Sequence, residues 1–257
     1  GSGGAVGLRN CAFENIETVA DGGAVYINYP AVTLDKVRIS GAKNGGAGGG
    51  AYIAACGTVS LTAVTIENTG ASGDGGGLYL SNSADQPTAV SGLTITNAPS
   101  GSGSMAYMSV AGEASLTAVT IEDTKTQGAG NGLRLVNSGT SQTVVSGLTV
   151  TNTTGAADGN EAYIKSNGAV RLADAAITST RTASGRGLHL EGTGVTVSGL
   201  TVKGTETNDS GGGAYIIASG AASLADVNIE DAEAAIKTAA GCMSLIAAPA
   251  NPPPSPV

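Results

Sequence analysis

The chain has 257 residues and a formal net charge of −8, and it contains 41 glycines, one phenylalanine and no tryptophan. Glycine is more than twice as frequent as the roughly 7% of average proteins, while charged residues, at 12%, are about half as frequent. Because 41% of the residues are hydrophobic and no Gly-X-Y period occurs, the composition excludes a charged disordered tail and a collagen triple helix.

The charge pattern restricts the partners that the chain can bind. Its 12 lysines and arginines are scattered among 20 acidic residues, and no basic cluster occurs. Nucleic acids and anionic membranes require a positively charged patch, so we expect neither as a partner. No segment approaches the roughly 18 consecutive apolar residues of a membrane-spanning helix, so we expect no membrane insertion.

Internal repeats dominate the sequence. The octet Leu-Thr-Ala-Val-Thr-Ile-Glu-Asn at 61–68 returns almost unchanged at 116–123. Weaker copies begin at Leu8, Leu34, Val90, Val145, Leu172, Val197 and Leu224, and with the two strong copies included the spacing is 25 to 29 residues. Such a period is typical of a solenoid, in which each repeat covers the open core of its neighbour.

Each repeat contains three predicted strands. In the second repeat they cover residues 51–53, 59–61 and 64–66, with the two-residue alternation that is typical of strands. A two-residue bend separates the last two strands, and we expect positive φ at its second position, where Asn, Asp and Gly are frequent. That position is held by Asn10, Lys36, Ala63, Gly92, Ala118, Gly147, Asp174, Gly199 and Asp226.

A longer period of about 54 residues is superimposed on the first. The first strand begins with a small residue in one repeat and with a large residue in the next. The octet tends to begin with Leu in the repeats that have the small residue and with Val in those that have the large one. The small residues are Ala51, Ala106, Ala162 and Ala214, and the large ones are Leu78, Leu133 and Leu188. We therefore expect large and small side chains to exchange places between neighbouring coils and so keep the interior filled.

The pattern L-x-x-V-x-I-x-[N/D] with glycine-rich returns resembles the right-handed parallel β-helix of pectin-lyase-like proteins. This resemblance covers most of the chain and implies an all-β, three-sided solenoid of about nine coils over residues 1–231. The Gly-Gly-Ala segments at 22–24, 49–51 and 212–214 are similar to those of bacterial polymorphic outer-membrane and autotransporter passenger proteins. That second resemblance implies an extracellular or cell-surface protein with a role in adhesion or scaffolding.

The pattern weakens after the last full repeat. We expect residues 232–248 to form a shortened last coil or a cap, with a helical turn as the alternative for 232–240. Residues 249–257 are rich in proline and predict a stiff linker. At the other end no cap is visible, so we expect the rod either to continue upstream in a longer protein or to associate end to end with another copy.

One outward column is aromatic. It occupies the middle position of the first strand in every repeat and consists of Tyr26, Tyr52, Tyr79, Tyr107, Arg134, Tyr163, His189 and Tyr215. One hypothesis is a contact surface for a polysaccharide or another surface protein, since tyrosine is enriched at interfaces. The other is that neighbouring rings stack and only stabilise the sheet.

Two further columns accompany the octet. Threonines at 65, 94, 120, 149 and 201 predict a regular outward array, similar to ice-binding solenoids, which makes ice binding an alternative function. We expect Asn15, Asn68, Asn97, Asp123, Asn152 and Asp231 to form an inward ladder that satisfies turn backbone groups. Asn152 and Asn208 each begin an Asn-X-Ser/Thr sequon, and Asn208, in a polar loop, is the candidate glycosylation site.

The residues of catalytic chemistry are sparse. His189 is the only histidine and belongs to the aromatic column, and no convergent group of acidic residues can be recognised. We expect no catalytic residue, no metal and no cofactor, while Ca²⁺ binding in the Asp-Gly turns stays open. Cys11, Cys56 and Cys242 show no disulfide spacing, so we expect buried free thiols, with Cys11 and Cys242 at opposite ends of the rod.

Together these patterns predict an extracellular structural or adhesive rod with the aromatic column as its contact surface. A carbohydrate-active β-helix enzyme, a polysaccharide lyase or hydrolase, is the alternative that the pectin-lyase-like resemblance implies.

Overall fold

The computed structural model of the protein describes residues 4–101, 103–123, 125–126, 131–155, 159–179, 186–204, 212–230 and 236–239. All regular elements in these ranges are β-strands, and every strand pairing is parallel.

A nine-stranded sheet, which we call the tyrosine sheet, contains the first strand of each repeat. Its strands, in spatial order, are Val25–Asn28, Ala51–Ala55, Leu78–Asn82, Ala106–Val110, Leu133–Asn137, Ala162–Ser166, Leu188–Gly192, Ala214–Ala218 and Ile236–Ala239. Spatial order therefore equals chain order, as expected when each coil stacks on the one before it.

A larger sheet, which we call the long sheet, contains the other two predicted strands of each repeat. Its main path runs through Ala5–Arg9, Ala31–Asp35, Val59–Thr62, Thr88–Thr96, Ala114–Glu122, Thr143–Gly155, Val170–Ser179, Val195–Lys203 and Ala222–Glu230. In the first three coils the strand after the bend is separate from the strand before it, and these separate strands are Ala12–Glu14, Arg38–Ser40 and Thr65–Glu67. A further short strand, Lys125–Thr126, pairs with Thr143–Gly155.

Short strands at Glu17–Thr18, Lys43–Asn44 and Gly70–Ala71 form a small third sheet. The arrangement confirms the prediction of an all-β parallel solenoid. Its right hand and the number of about nine coils stay predictions.

The bends of the long sheet lie at the predicted residues. All nine predicted positions have φ between 51° and 65°, in the left-handed region. They are Asn10, Lys36, Ala63, Gly92, Ala118, Gly147, Asp174, Gly199 and Asp226. The bend turns the strand so that Val64, on its far side, again points inward, where it is 1% exposed.

The core consists of inward columns that run through the coils. The predicted columns Val64, Leu93, Val119, Leu148 and Ile66, Ile95, Ile121, Val150 are all buried. Leu78 lies between Ala51 and Ala106 in the tyrosine sheet, which confirms the exchange of large and small residues between neighbours. Glycine precedes these strands because the backbone approaches the core closely. A Cβ on Gly77 would lie 2.7 Å from Cγ2 of Ile95.

The cysteine prediction is wrong for Cys56, which is exposed. It follows the strand Ala51–Ala55 at the corner where the chain leaves the tyrosine sheet, so its side chain does not reach the core. Cys11 is half-buried, packs against the core and lies with its sulfur 3.3 Å from the carbonyl oxygen of Arg9. Cys242 lies outside the described residues.

The prediction of an inward Asn/Asp ladder is wrong in its direction. Asn15, Asn68, Asn97 and Asp123 are exposed. Each has φ between 49° and 54°, and the strand ends at the residue before it, so the alternation of inward and outward side chains does not extend to these positions. The amide of Asn97 donates a hydrogen bond of 2.8 Å to Oδ1 of Asn68, so this pair does form a rung between coils. The side chain of Asn152, and all of Asp231 and Asn208, lie outside the described residues.

The strand Ile236–Ala239 extends the tyrosine sheet beyond the last full repeat, in parallel with Ala214–Ala218. This part of the segment 232–248 is thus a strand, which agrees with the shortened last coil. The described residues do not include the rest of that segment or the proline-rich 249–257, and the proposed domain boundaries stay predictions.

Bend residues with a side chain should store strain that glycine relieves. Ala63→Gly and Ala118→Gly should each raise the free energy of unfolding by about 1 kcal/mol, because left-handed φ penalises a Cβ. Gly92 and Gly147 already hold the same position in other coils. Urea denaturation followed by circular dichroism measures the effect. Thr62→Gly, one residue earlier in the strand, is the matched control and should destabilise instead.

Candidate binding surface

The predicted aromatic column lies in register on the outer face of the tyrosine sheet. Tyr26 is opposite Tyr52, Tyr79 lies between Tyr52 and Tyr107, and the pairing continues through Arg134, Tyr163, His189 and Tyr215. The parallel register imposes this alignment, because a strand whose inward residues face the core must present its middle residue outward.

The first four tyrosines form a continuous stack. The ring centroids of Tyr26 and Tyr52 are 5.1 Å apart, those of Tyr52 and Tyr79 4.7 Å, and those of Tyr79 and Tyr107 4.9 Å. The rings are parallel to within 6°. These distances match the spacing of about 4.8 Å between hydrogen-bonded strands, so the backbone itself brings the rings into contact.

Arg134 continues the stack where a tyrosine is missing. The central carbon of its guanidinium lies 5.9 Å from the ring centroid of Tyr107 and 4.7 Å from that of Tyr163. A planar guanidinium between two rings makes cation–π contacts with both. The column is therefore not interrupted at the fifth position.

The far part of the column is more polar. His189 stacks on Tyr163 at 4.6 Å and is tilted by 50° against Tyr215 at 5.3 Å. Arg186 covers the Tyr215 ring at 4.7 Å. Burial lowers the pKa of His189, and the charge of Arg186 lowers it further, so the neutral imidazole is favoured. Its Nε2 makes no hydrogen bond within the described structure and lies 3.8 Å from a carboxylate oxygen of Glu191.

Two carboxylates act electrostatically on the tyrosine hydroxyls. Burial raises the pKa of Tyr52 and of Tyr79, and the negative charge of Asp21 adds to both shifts. Asp74 acts in the same direction on Tyr79. Both phenols therefore stay protonated and can donate hydrogen bonds. The same aspartates join coils, because Asp21 accepts a hydrogen bond of 2.7 Å from the Ala47 amide and Asp74 one of 3.1 Å from Ser104.

The stacking decides which parts of the column a partner can touch. Both faces of Tyr52 and of Tyr79 are covered by neighbouring rings, so an internal ring cannot also stack on a sugar. Tyr26, which is 56% exposed, has one uncovered face at the end of the stack. Elsewhere the column offers ring edges and hydroxyl groups, which are only half-buried.

A second outward column runs two residues after the aromatic one. In the first four coils it holds the small residues Asn28, Ala54, Ser81 and Ser109, which leave the side of the stack accessible. A shallow cavity of about 360 Å³ is lined by Asn28, Ala54 and Ser81 of this column and by Tyr29, Pro30 and Cys56 at the corner. Further along, Lys165 and Glu191 form an ion pair at 2.9 Å, which raises the pKa of Lys165.

The threonine array lies on the long sheet, away from the tyrosines. Thr65, Thr94, Thr120 and Thr149 are in register and half-exposed. Arg38 holds the threonine position in an earlier coil and forms ion pairs with Glu14 and Glu67, which lie in the outward column two residues further along the strand. In that same column Lys203 pairs with Glu230 at 2.8 Å. The geometric prediction is confirmed, and ice binding stays a prediction.

Several polar residues were not found by sequence reasoning. Asn82 and Asn137 are the buried last residues of their strands, and each amide donates a hydrogen bond of 2.8 Å to the carbonyl oxygen of a glycine in the preceding coil. The corresponding residues of alternate coils are Ala55 and Val110. The two-coil alternation could have revealed them. Opposite charges at equivalent positions, Lys165 and Glu191, could likewise have predicted their ion pair.

Within the described ranges, no three His, Cys, Asp or Glu side chains are placed so that they could hold a metal ion. In the same ranges no helix has the length and apolarity needed to cross a membrane.

Comparisons of the chain with family models, with curated proteins and with solved structures gave no match. The class of protein is therefore defined by the fold alone, and that class is the parallel β-solenoid. The resemblances to pectin-lyase-like and autotransporter passenger proteins stay predictions.

The half-buried histidine should make stability depend on pH. Because folding lowers the pKa of His189, the unfolded chain binds its proton at higher pH, and the free energy of unfolding should fall as pH decreases from 7.5 to 5.5. His189→Tyr restores the residue type of the column and removes this titration. Urea denaturation at both pH values should show that the free energy of unfolding changes less with pH in the variant than in the wild type. An equal change in both proteins would contradict the prediction.

Proposed function

We propose that the protein is a cell-surface or extracellular rod that binds an extended, uncharged polysaccharide along its tyrosine column. The observation that carries this proposal is the continuous row of eight side chains in register, with ring edges and hydroxyls accessible. An extended ligand lying along the row contacts one equivalent group for each strand spacing of about 4.8 Å.

The chemistry of the row supports a polyhydroxylated ligand. Each phenol hydroxyl both donates and accepts hydrogen bonds, and the negative charges of the aspartates at 21 and 74 keep the phenols of Tyr52 and Tyr79 protonated. The ring edges supply apolar contact for the C–H groups of a sugar. The net charge of −8 and the two aspartates favour an uncharged chain over an anionic one.

The proposal also agrees with the small residues next to the row. Asn28, Ala54, Ser81 and Ser109 are in register two residues after the aromatic column, and their short side chains favour access of a ligand to the ring edges. A folded protein partner with a matching ridge would use the same surface, so the ligand class has to be tested directly.

The test separates hydroxyl contacts from stacking. Tyr79→Phe combined with Tyr107→Phe keeps the rings and removes two hydroxyls. Binding to insoluble cellulose, xylan and chitin, measured by co-sedimentation, should weaken about tenfold while the melting temperature stays unchanged, since each lost hydrogen bond contributes about 0.5–1.5 kcal/mol. Thr94→Val combined with Thr120→Val, on the long sheet, is the matched control and should bind like the wild type.

A triple replacement tests the purely structural hypothesis. Tyr79→Ser, Tyr107→Ser and Tyr163→Ser together remove the stack in the middle of the sheet. If polysaccharide binding persists while the melting temperature falls, the column only stabilises the sheet and the proposal is wrong. Binding that is lost in both the Phe and the Ser variants supports it.

A further inference from the structure

The described part of the solenoid has unpaired strand edges at both of its ends. Within the described residues, Ala5–Arg9, Ala12–Glu14 and Val25–Asn28 each pair on one side only. At the opposite end, Ala222–Glu230 and Ile236–Ala239 likewise have one partner each. We call these the amino-terminal and carboxy-terminal edges. Unpaired edges offer backbone N–H and C=O groups to another strand.

Both edges also uncover the core. Val6, Leu8, Cys11 and Phe13 are only half-buried at the amino-terminal edge, whereas their neighbours one coil further, Val32, Leu34, Val37 and Ile39, are at most 1% exposed. At the carboxy-terminal edge the half-buried residues are Ala222, Leu224, Val227 and Ile229. These belong to the same four inward columns. Covering them would remove apolar surface from water at both ends.

The two edges have matching shapes because the coil repeats. The bend lies at Asn10 on one edge and at Asp226 on the other, and both residues have φ of 52°. Strand Ala222–Glu230 has the same length and register as the preceding strand of the long sheet, Val195–Lys203. Strand Ile236–Ala239 likewise continues the register of the tyrosine sheet. A coil presented to the carboxy-terminal edge in register therefore continues both sheets and the four inward columns.

We propose that the amino-terminal edge of one copy stacks on the carboxy-terminal edge of a second copy, head to tail. The contact is heterologous, since it joins two different surfaces, and it leaves one free edge at each end of the assembly. Association therefore continues into linear multimers rather than stopping at a dimer. This inference does not depend on what the tyrosine column binds.

Like charges meet at the junction and make the association depend on salt. Glu14 and Glu230 occupy the same outward column, so head-to-tail stacking brings them about one strand spacing apart. Their like charges weaken the contact, although Arg38 and Lys203 already pair with them. We therefore expect association that increases with protein concentration and with salt.

Asn28 and Ala239 provide a geometric marker for the junction, because they hold the same register position on the two outermost described strands of the tyrosine sheet. In the junction Ala239 comes beside Asn28 of the next copy, about one strand spacing away. Within a single copy, the strands that carry these two residues are separated by eight strand spacings, or about 38 Å.

Cross-linking the full chain with a short bis-maleimide tests the arrangement. In a background that carries Cys11→Ser, Cys56→Ser and Cys242→Ser, we expect the double variant Asn28→Cys, Ala239→Cys to give a ladder of dimers, trimers and larger species on a denaturing gel. Neither single cysteine variant should give this ladder. Multimers should also appear in sedimentation velocity without cross-linker. Monomers at all concentrations, or dimers without larger species, would overturn the proposal.

A complementation experiment identifies the two surfaces. Leu8→Lys and Leu224→Lys each place a charge on one edge, and the long side chain can reach solvent there while the rest of the solenoid is unaffected. Each variant alone should associate at least tenfold more weakly than the wild type. A mixture of the two should form dimers but no larger species, because each variant retains one intact edge.

Circular dichroism and thermal melting check that both lysine variants fold. Multimers that persist unchanged in either variant would contradict the assigned edges. Should a lysine variant fail to fold, the cross-linking pattern of the Asn28→Cys, Ala239→Cys variant decides the question by itself.

Discussion

Parallel hydrogen bonding between successive coils is the constraint on which the rest of this structure depends. It fixes a spacing of about 4.8 Å and places each residue beside its counterpart in the next coil. Whatever residue type a position carries is therefore multiplied into a column. Apolar positions become a continuous core, tyrosines become a stack, and positive-φ residues become a line of bends. Function and stability are consequently properties of columns rather than of single residues.

This constraint explains why much of the fold could be predicted from the sequence. The bend residues differ chemically, from Lys36 to Gly92, and yet all adopt the left-handed conformation, because the period of the repeat and not the residue type identifies the position. The inward columns and the tyrosine register follow from the same counting. Ala51 and Leu78 alternate because neighbouring coils share one interior, so an extra methyl group in one coil must be compensated in the next.

The residues that could not be predicted lie where the repeat is irregular. Repeats differ by up to four residues in length, and the difference is taken up at corners and turns, whose conformation no column imposes. Cys56 is exposed for this reason, and Asn68 turns outward where an inward position was expected. The links that Asp21 and Asp74 make to the next coil also begin in turns. The candidate surface was predicted as a set of residues, but the covered ring faces depend on side-chain packing that the period does not specify.

The stack of rings has a mechanical consequence. Bending the rod away from the tyrosine sheet would stretch that side and separate rings that are now 4.7 to 5.1 Å apart, while bending toward it would press them into one another. Among the described residues, the threonine side has no comparable column of stacked rings. The column therefore acts as a stiff spine along one side, and the elastic resistance of the rod should differ between its faces.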